Sequence, residues 1–307
     1  MMKLQVLLVA GTHGNEINGI WLFEQWEKSP FLINTHGIKT YKVIGNPEAK
    51  KAGKRYIDND LNRSFIEESF SSSNYSNLEA KRANQLVKLY GDKGENPCQI
   101  ALDFHTTTAT MGSCLVVYGR RDTDLALAGL IQNKLGLPIY LHESDKKQTG
   151  FLVESWPCGL VVEIGPVGQD LLNSRIISQT KLILENLLEQ IQVINNSNNS
   201  NFFFPDKLKI HRHIKSIDFP RDEEDNINAY VHPLRQSQDW HPLKKNDELF
   251  YKFNGEIINF NENEPYVPVF INEAAYMEKN IAMSLTEREL WDFEANWKTS
   301  LIELVHQ

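Results

Sequence analysis

Cysteine is nearly missing from this chain: Cys98, Cys114 and Cys158 are the only three in 307 residues. Their number and irregular spacing exclude a disulfide framework and a cysteine-based zinc site. They read as buried thiols of a reducing compartment, and a cytoplasmic protein is expected. Long apolar runs are missing too. The N-terminal stretch "LQVLLVA" is too short to span a bilayer and runs straight into polar residues, so a membrane is not expected as a partner. Basic charge is in deficit. A net charge of −8 argues against a nucleic-acid backbone or an anionic membrane surface as the main partner. It leaves room for a small anion at a locally basic site. No internal repeat is visible.

What remains is ordinary globular composition, 41% apolar and 23% charged, in a chain long enough for one large domain or two modest ones. Residues 3 to 10 read as a buried strand and 16 to 28 as an amphipathic helix. "GIKTYKVIGNP" (37 to 47) reads as a strand stopping at Asn46-Pro47, and 77 to 90 has helical spacing. "CQIALDFH" (98 to 105), "SCLVVYG" (113 to 119), a helix over about 123 to 135, "LPIYLHE" (137 to 143) and "GLVVEIG" (159 to 165) continue the alternation. A long helix over about 169 to 194 closes this half. Continuous apolar strands between helices predict an α/β fold whose largely parallel sheet is covered on both faces. The tract "NNSNNSN" (195 to 201) reads as a linker or exposed loop. Beyond it come short β-like runs, including a hairpin in "ELFYKFNGEIINF" (248 to 260) turned by Asn254-Gly255. A domain boundary is therefore expected near residue 200, with residues 1–200 forming an α/β domain and 201–307 a smaller β-rich one.

In such sheets ligands collect outside the carboxyl ends of the strands. His13 and Glu16, in "AGTHGNE", follow the first strand; His105 closes "IALDFH"; Glu163 lies near the end of "LVVEIG". Each has a plain reading. A single His after a strand is often structural, and Glu16 could simply favour a helix N-terminus. Glu163 is harder to set aside, because burying an unpaired carboxylate costs several kcal/mol. Together, two imidazoles and a carboxylate are a catalytic zinc set that keeps one position open. Asp103 either orients a ligand or is a plain strand residue. A second cluster, "KRYIDNDLNRSF" (54 to 65), places Arg55, Asn62 and Arg63 where guanidinium groups could hold planar oxyanions, or where a solvated loop could lie.

Five motifs in order, "GTHGNE", "RYIDNDLNRSF", "DFHTTT", "VEIGP" and "VFINEAAYMEK", resemble the aspartoacylase branch of the zinc carboxypeptidase-like amidohydrolases. The likeness runs from about residue 7 to residue 280. The resemblance implies a zinc carboxypeptidase-like catalytic domain over 1–200, its mostly parallel mixed sheet flanked by helices, and a β-rich C-terminal domain over 201–307 that narrows the entrance of the site. It implies one zinc ion per chain held by His13, Glu16 and His105, with Glu163 activating the attacking water. Arg55 would sit beside the scissile carbonyl, Asn62 and Arg63 would hold the α-carboxylate of an N-acyl amino acid, and Tyr276 would reach in from the second domain. The implied reaction is hydrolysis of an N-acyl amino acid, N-acetyl-L-aspartate first among them, to a carboxylic acid and a free amino acid.

There is one departure. Aspartate-specific members carry an Arg before the strand that ends at the catalytic Glu, and here Phe151 occupies the matching position while Lys147 falls where a Tyr is expected. Either Lys146 or Lys147 replaces the Arg, or the side-chain preference differs. Three alternatives follow: a deacylase for neutral or aromatic N-acyl amino acids, a peptide-cleaving carboxypeptidase, and a non-catalytic metabolite-binding protein that keeps the zinc. Retention of Glu163 argues against the last, since binding needs no base. The other histidines are assigned no chemistry: His211 and His213 are expected as a solvated surface pair on one strand face, and His232 and His241 as loop residues. A homo-oligomer is compatible with the sequence.

Overall fold

The computed structural model describes residues 4–35, 37–66, 77–143, 148–196 and 203–306. Its first strand, β1 (Gln5–Ala10), is buried along its whole length. Val6, Leu8 and Ala10 pack into one apolar cluster and Leu7 and Val9 into another, one on each side of the sheet. A strand covered on both faces has no polar side to show, which is why the run is continuous rather than alternating. Each fully buried Leu along it contributes about 1.5–3 kcal/mol.

The strands that follow are β2 (Lys39–Ile44), β3 (Ile100–Thr106), β4 (Ser113–Tyr118), β5 (Ile139–His142), β6 (Cys158–Ile164) and β7 (Lys207–Ile217). β11 (Val267–Val269) and β12 (Met283–Asp292) complete a nine-stranded sheet in the order β11-β12-β7-β5-β4-β6-β3-β1-β2. Pairings β1–β2, β1–β3, β3–β6, β4–β5 and β5–β7 are parallel, whereas β4–β6, β7–β12 and β11–β12 are antiparallel. The sheet is therefore mixed, and it crosses residue 200 without a break because β7 lies beside β5. Three short strands, β8 (Ala229–Val231), β9 (Glu248–Lys252) and β10 (Ile257–Asn259), form a separate antiparallel sheet with its own small core.

One face of the large sheet is covered by α1 (Ile17–Lys28), α4 (Asp122–Leu135), α5 (Ser174–Asn196) and the C-terminal α6 (Ala295–His306). The opposite face carries α3 (Leu78–Tyr90) and irregular segments around Phe65, Trp156 and Phe270. Helix α2 (Pro47–Ala52) starts where the sequence stops β2: the Asn46 side chain accepts from Ala49 N at 3.1 Å, and Pro47 fills the first turn, where its missing N–H is no loss. Asn254-Gly255 turns the β9–β10 hairpin, with Gly255 at φ +90. Among the described residues no helix is long and apolar enough to cross a membrane.

Candidate active site

The chain leaves β1 through Gly11, at φ +70, a conformation natural to glycine. Gly14 has a different reason. A Cβ there would lie 2.2 Å from the Ala49 backbone, and its N–H donates to Arg55 O at 3.0 Å. The glycine thus lets the loop after β1 close onto the segment carrying Arg55, and the two charged motifs of the sequence become one site. Glu16 stands at the N-cap of α1, yet its side chain makes no capping bond. It turns inward and accepts from Thr106 N at 2.9 Å.

His13, Glu16 and His105 are all buried, and their ligand atoms lie within 4.8 Å of one another. His13 Nδ1 is 2.6 Å from Glu16 Oε1, and His105 Nδ1 is 3.1 Å from both Glu16 Oε2 and His13 Nδ1. The far nitrogens have carboxylates of their own: His13 Nε2 meets Asp60 Oδ1 at 2.9 Å, and His105 Nε2 meets Asp103 Oδ2 at 2.7 Å. Thr12 Oγ1 donates to the other oxygen of Asp103 at 2.8 Å. A carboxylate at Nε2 places the ring proton there and leaves Nδ1 as an acceptor. Two Nδ1 lone pairs and a carboxylate then face one point, a donor set that fits zinc with one position open. Burial disfavours charge on Glu16 and on His105, but proximity prevails. The imidazoles of His13 and His105 hold Glu16 well below the usual carboxylate range, and Asp103 and Glu16 hold His105 well above the usual imidazole range.

Glu163 pairs in register with His105 across β3–β6. Burial pushes its carboxyl up to about 8 against the attraction of His105, and Glu16 and Glu273 add to the rise. Arg55 reaches Glu16 Oε1 with Nη1 at 3.3 Å and Asp60 Oδ2 with Nη2 at 3.4 Å. Asn62 Oδ1 accepts from Leu152 N at 2.8 Å. Arg63 donates from Nη1 to Asn62 O at 2.6 Å and from Nη2 to Gln148 Oε1 at 2.7 Å. A cavity of about 50 Å³ brings together His13, Glu16, Arg55, Asn62, Arg63, His105, Glu163 and Tyr276, the residues that the resemblance implicated in holding the metal, in catalysis and in holding substrate.

Tyr276 arrives on a 3-10 turn, Ala274–Lys279, against the Phe270 ring at 5.3 Å; burial raises its phenol. The turn is fastened by a residue to which sequence reasoning gave no role, Glu273. Its Oε2 accepts from Thr108 N at 2.8 Å, Ala109 N at 3.1 Å and the Thr107 and Thr108 hydroxyls, and its Oε1 accepts from Ala275 N at 3.1 Å. An acid directly after the apolar run "VPVFIN" was the available signal. Asp60 was likewise visible only as one acid in a charged loop. Phe151 stacks on Tyr118 with ring centroids 3.6 Å apart, and Arg63 Cζ lies 4.1 Å from its ring. Lys146 and Lys147 lie outside the described residues.

His211 and His213 are not the surface pair expected from the sequence. Both are buried, because β7 runs inside the sheet between β5 and β12. His211 packs edge-on to Trp240 at 4.7 Å, and His213 lies 5.0 Å from the His142 ring. Burial brings His211 down to about 4, so it is a neutral core residue near neutral pH.

Comparison with known proteins gives the site its relatives. Residues 3–191 match the catalytic-domain model of succinylglutamate desuccinylase/aspartoacylase, and residues 206–288 match the barrel-sandwich hybrid domain of the same group. A probable aspartoacylase of Prochlorococcus marinus (strain NATL2A) is 78% identical over 307 residues, covering 100% of both chains. One from Synechococcus sp. (strain CC9605) is 50% identical, covering 99% of each. The crystal structure of murine aminoacylase 3 superposes with a TM-score of 0.85 at 31% identity, covering 94% of this chain and 96% of that one. The chain belongs to the succinylglutamate desuccinylase/aspartoacylase family.

Proposed function

We propose that this protein is a zinc-dependent hydrolase of the amide bond of N-acyl amino acids, with N-acetyl-L-aspartate as the leading substrate and acetate and L-aspartate as products. The observation that carries the reading is the convergence of His13 Nδ1, His105 Nδ1 and the Glu16 carboxylate, each imidazole backed by a carboxylate at Nε2. The relatives' names, probable aspartoacylase and aminoacylase 3, support it. The three buried thiols support a reducing, cytoplasmic setting.

When bound, zinc supplies a Lewis acid and lowers the pKa of water at its open position towards about 7. The chain does the rest. Asn62 and Arg63 hold the α-carboxylate. Arg55 donates to the carbonyl oxygen as negative charge grows there; loss of one such donor typically costs about 2.7–4 kcal/mol. Glu163 takes the proton of the attacking water and returns it to the departing amine nitrogen. Burial raises its carboxyl, which favours that return of the proton. Residues beyond about 200, which we assign to a second domain, contribute Tyr276 and Phe270 to the wall of the pocket and narrow it against peptides.

A second reading, preference for a neutral or aromatic side chain, is favoured by the Phe151–Tyr118 stack. The test of the chemistry is Glu163→Gln. It keeps the shape and removes the base, so kcat should fall about 100-fold or more while zinc content stays at the wild-type level. Turnover near the wild-type rate would overturn the assignment of Glu163 as the base.

A further inference from the structure

The segment that carries Arg55 and Asp60 has no helix or strand of its own between α2 and the 3-10 turn Leu61–Arg63. Its backbone N–H groups therefore need acceptors from elsewhere. One side chain serves three of them in a row. Glu79, buried in the first turn of α3, accepts from Ile57 N at 2.7 Å with Oε1, and from Asp58 N at 3.1 Å and Asn59 N at 3.2 Å with Oε2. Asn46 Nδ2, from the residue that caps α2, also donates to Oε1, at 3.0 Å. The tie is returned on the outer side, where Asp58 Oδ2 accepts from Leu78 N at 2.9 Å. Burial works against a charge on Glu79, but the N–H groups of Ile57, Asn59 and Asp58 and the Asn46 amide hold its carboxyl below the ordinary range.

The position requires a carboxylate. Four N–H donors converge on two oxygens, two on each. An amide of the same shape would turn its own NH2 towards two of those donors whichever way it faced. The helix behind the carboxylate is firmly seated, with Ala83 and Leu86 buried in the core beside the sheet. The Arg55 guanidinium, in contrast, has long contacts, 3.3 Å to Glu16 and 3.4 Å to Asp60, and its buried Nε makes no hydrogen bond among the described residues. Its aim therefore depends on where its backbone is placed. Gly14 N fixes that backbone at Arg55 O, and Glu79 fixes it again two residues further on.

Building on the deacylase reading, we propose that Glu79 is a positioning residue of the reaction: by clamping residues 57–59 it holds Arg55 towards the scissile carbonyl oxygen and Asp60 against His13. It does so from outside the catalytic cavity, which it does not line.

The test is Glu79→Gln in the zinc-loaded protein, with circular dichroism to establish that the variant is folded. Glu79→Asp keeps the charge and draws the acceptors back by one methylene; it carries the same expectations if the first variant does not fold. Because Arg55 acts on charge that grows in the transition state, kcat should fall roughly 10- to 100-fold, up to the scale of an ångström's misplacement, with KM little changed. In an Arg55→Ala background the same substitution should alter kcat by about 2-fold or less, since the group it aims is gone. Zinc affinity, read by competition with a chelator, should weaken through Asp60 and His13, by less than the roughly 10- to 100-fold expected of removing an outer partner outright. A folded variant with wild-type kcat overturns the positioning role and leaves the deacylase reading standing. A fall in kcat that is as large without Arg55 overturns it too, because the effect then does not run through that arginine. If the wild type hydrolyses no N-acyl amino acid, the deacylase reading fails and the chelator competition decides alone: weaker zinc binding in the variant supports the clamp, and unchanged binding overturns it.

Discussion

Asp60 has more partners than any single role requires. One carboxylate meets the His13 ring, the Arg55 guanidinium, the Lys279 ammonium and the backbone N–H of Asn62. Burial opposes its charge, but His13 and then Arg55 and Arg63 hold it well below the usual carboxylate range. Such a group fixes the tautomer of a metal-facing imidazole and aims an arginine at the same time. Asp60→Asn keeps an acceptor at Oδ1 and loses the charge. We expect zinc affinity to fall about 10- to 100-fold, the usual effect of removing an outer partner of a ligand, as measured by competition with a chelator. Unchanged affinity would reduce Asp60 to a loop-forming residue. The limit of legibility at this scale is physical. His13, Glu16, His105 and Glu163 stood out because each is a polar group at the end of an apolar strand, where burial must be justified. Asp60 stood in a loop already full of charge, where one more carboxylate breaks no pattern. Glu273 gave a faint signal, and the Phe151–Arg63 stack none, since ring contacts across distant segments leave no spacing to read.

Among the elements, most of those of the first half followed from periodicity to within a few residues, because two-sided burial and helical spacing are both local signals, but the short α2 was not read. The β7–β12 pair did not. Lys209, His211, Arg212 and His213 give β7 a polar look, although His211 and His213 are buried. A register shift between Leu285 and Thr286 further breaks the alternation of β12. Helix α6 was also missed, since only its fold-back onto α4 and α5 gives its apolar stripe a partner. The loop between β8 and β9 shows how the irregular parts are held. Asp239 Oδ1 accepts from Ile271 N at 3.0 Å, and Trp240 Nε1 donates to Met111 O at 2.8 Å, tying this loop to the segment after β11 and to the segment before β4. Burial lifts Asp239 from its ordinary 3.8 to about 6. A carboxyl with a raised folded pKa contributes stability that is full below its unfolded pKa and is lost as pH climbs through the folded one. Asp239→Asn keeps the acceptor and removes the titration. The variant should therefore gain on wild type between about pH 4 and about pH 6 and hold that gain above, by roughly 1–3 kcal/mol in chemical denaturation. A difference in stability that does not change with pH would contradict a buried, late-titrating Asp239.

At the scale of the whole molecule, the site lies where three parallel strands end together and where the second half of the chain returns across them. The sheet continues through β7, β12 and β11, and the small β8–β10 sheet stands beside it. Glu273 then pins the Tyr276 turn to the loop that follows His105. The fold class was legible because alternating elements allow few architectures; the continuity of the sheet across residue 200 was not, because strand neighbours separated by a long crossover leave no mark in local sequence. Among the described residues this architecture brings one metal-fitting donor set, Glu163 and two arginines to one small cavity, and we propose that together they hydrolyse an N-acyl amino acid. The direct measurement is release of free amine and carboxylic acid by the purified protein from a panel of N-acyl amino acids that varies side chain and acyl group independently. The assay is run on zinc-loaded protein, after removal of metal by a chelator, and after zinc is restored. The account predicts amine and acid in equal amounts, loss of both on chelation and their return with zinc. No amine from any member of the panel, or release that persists in the metal-free protein, would contradict it.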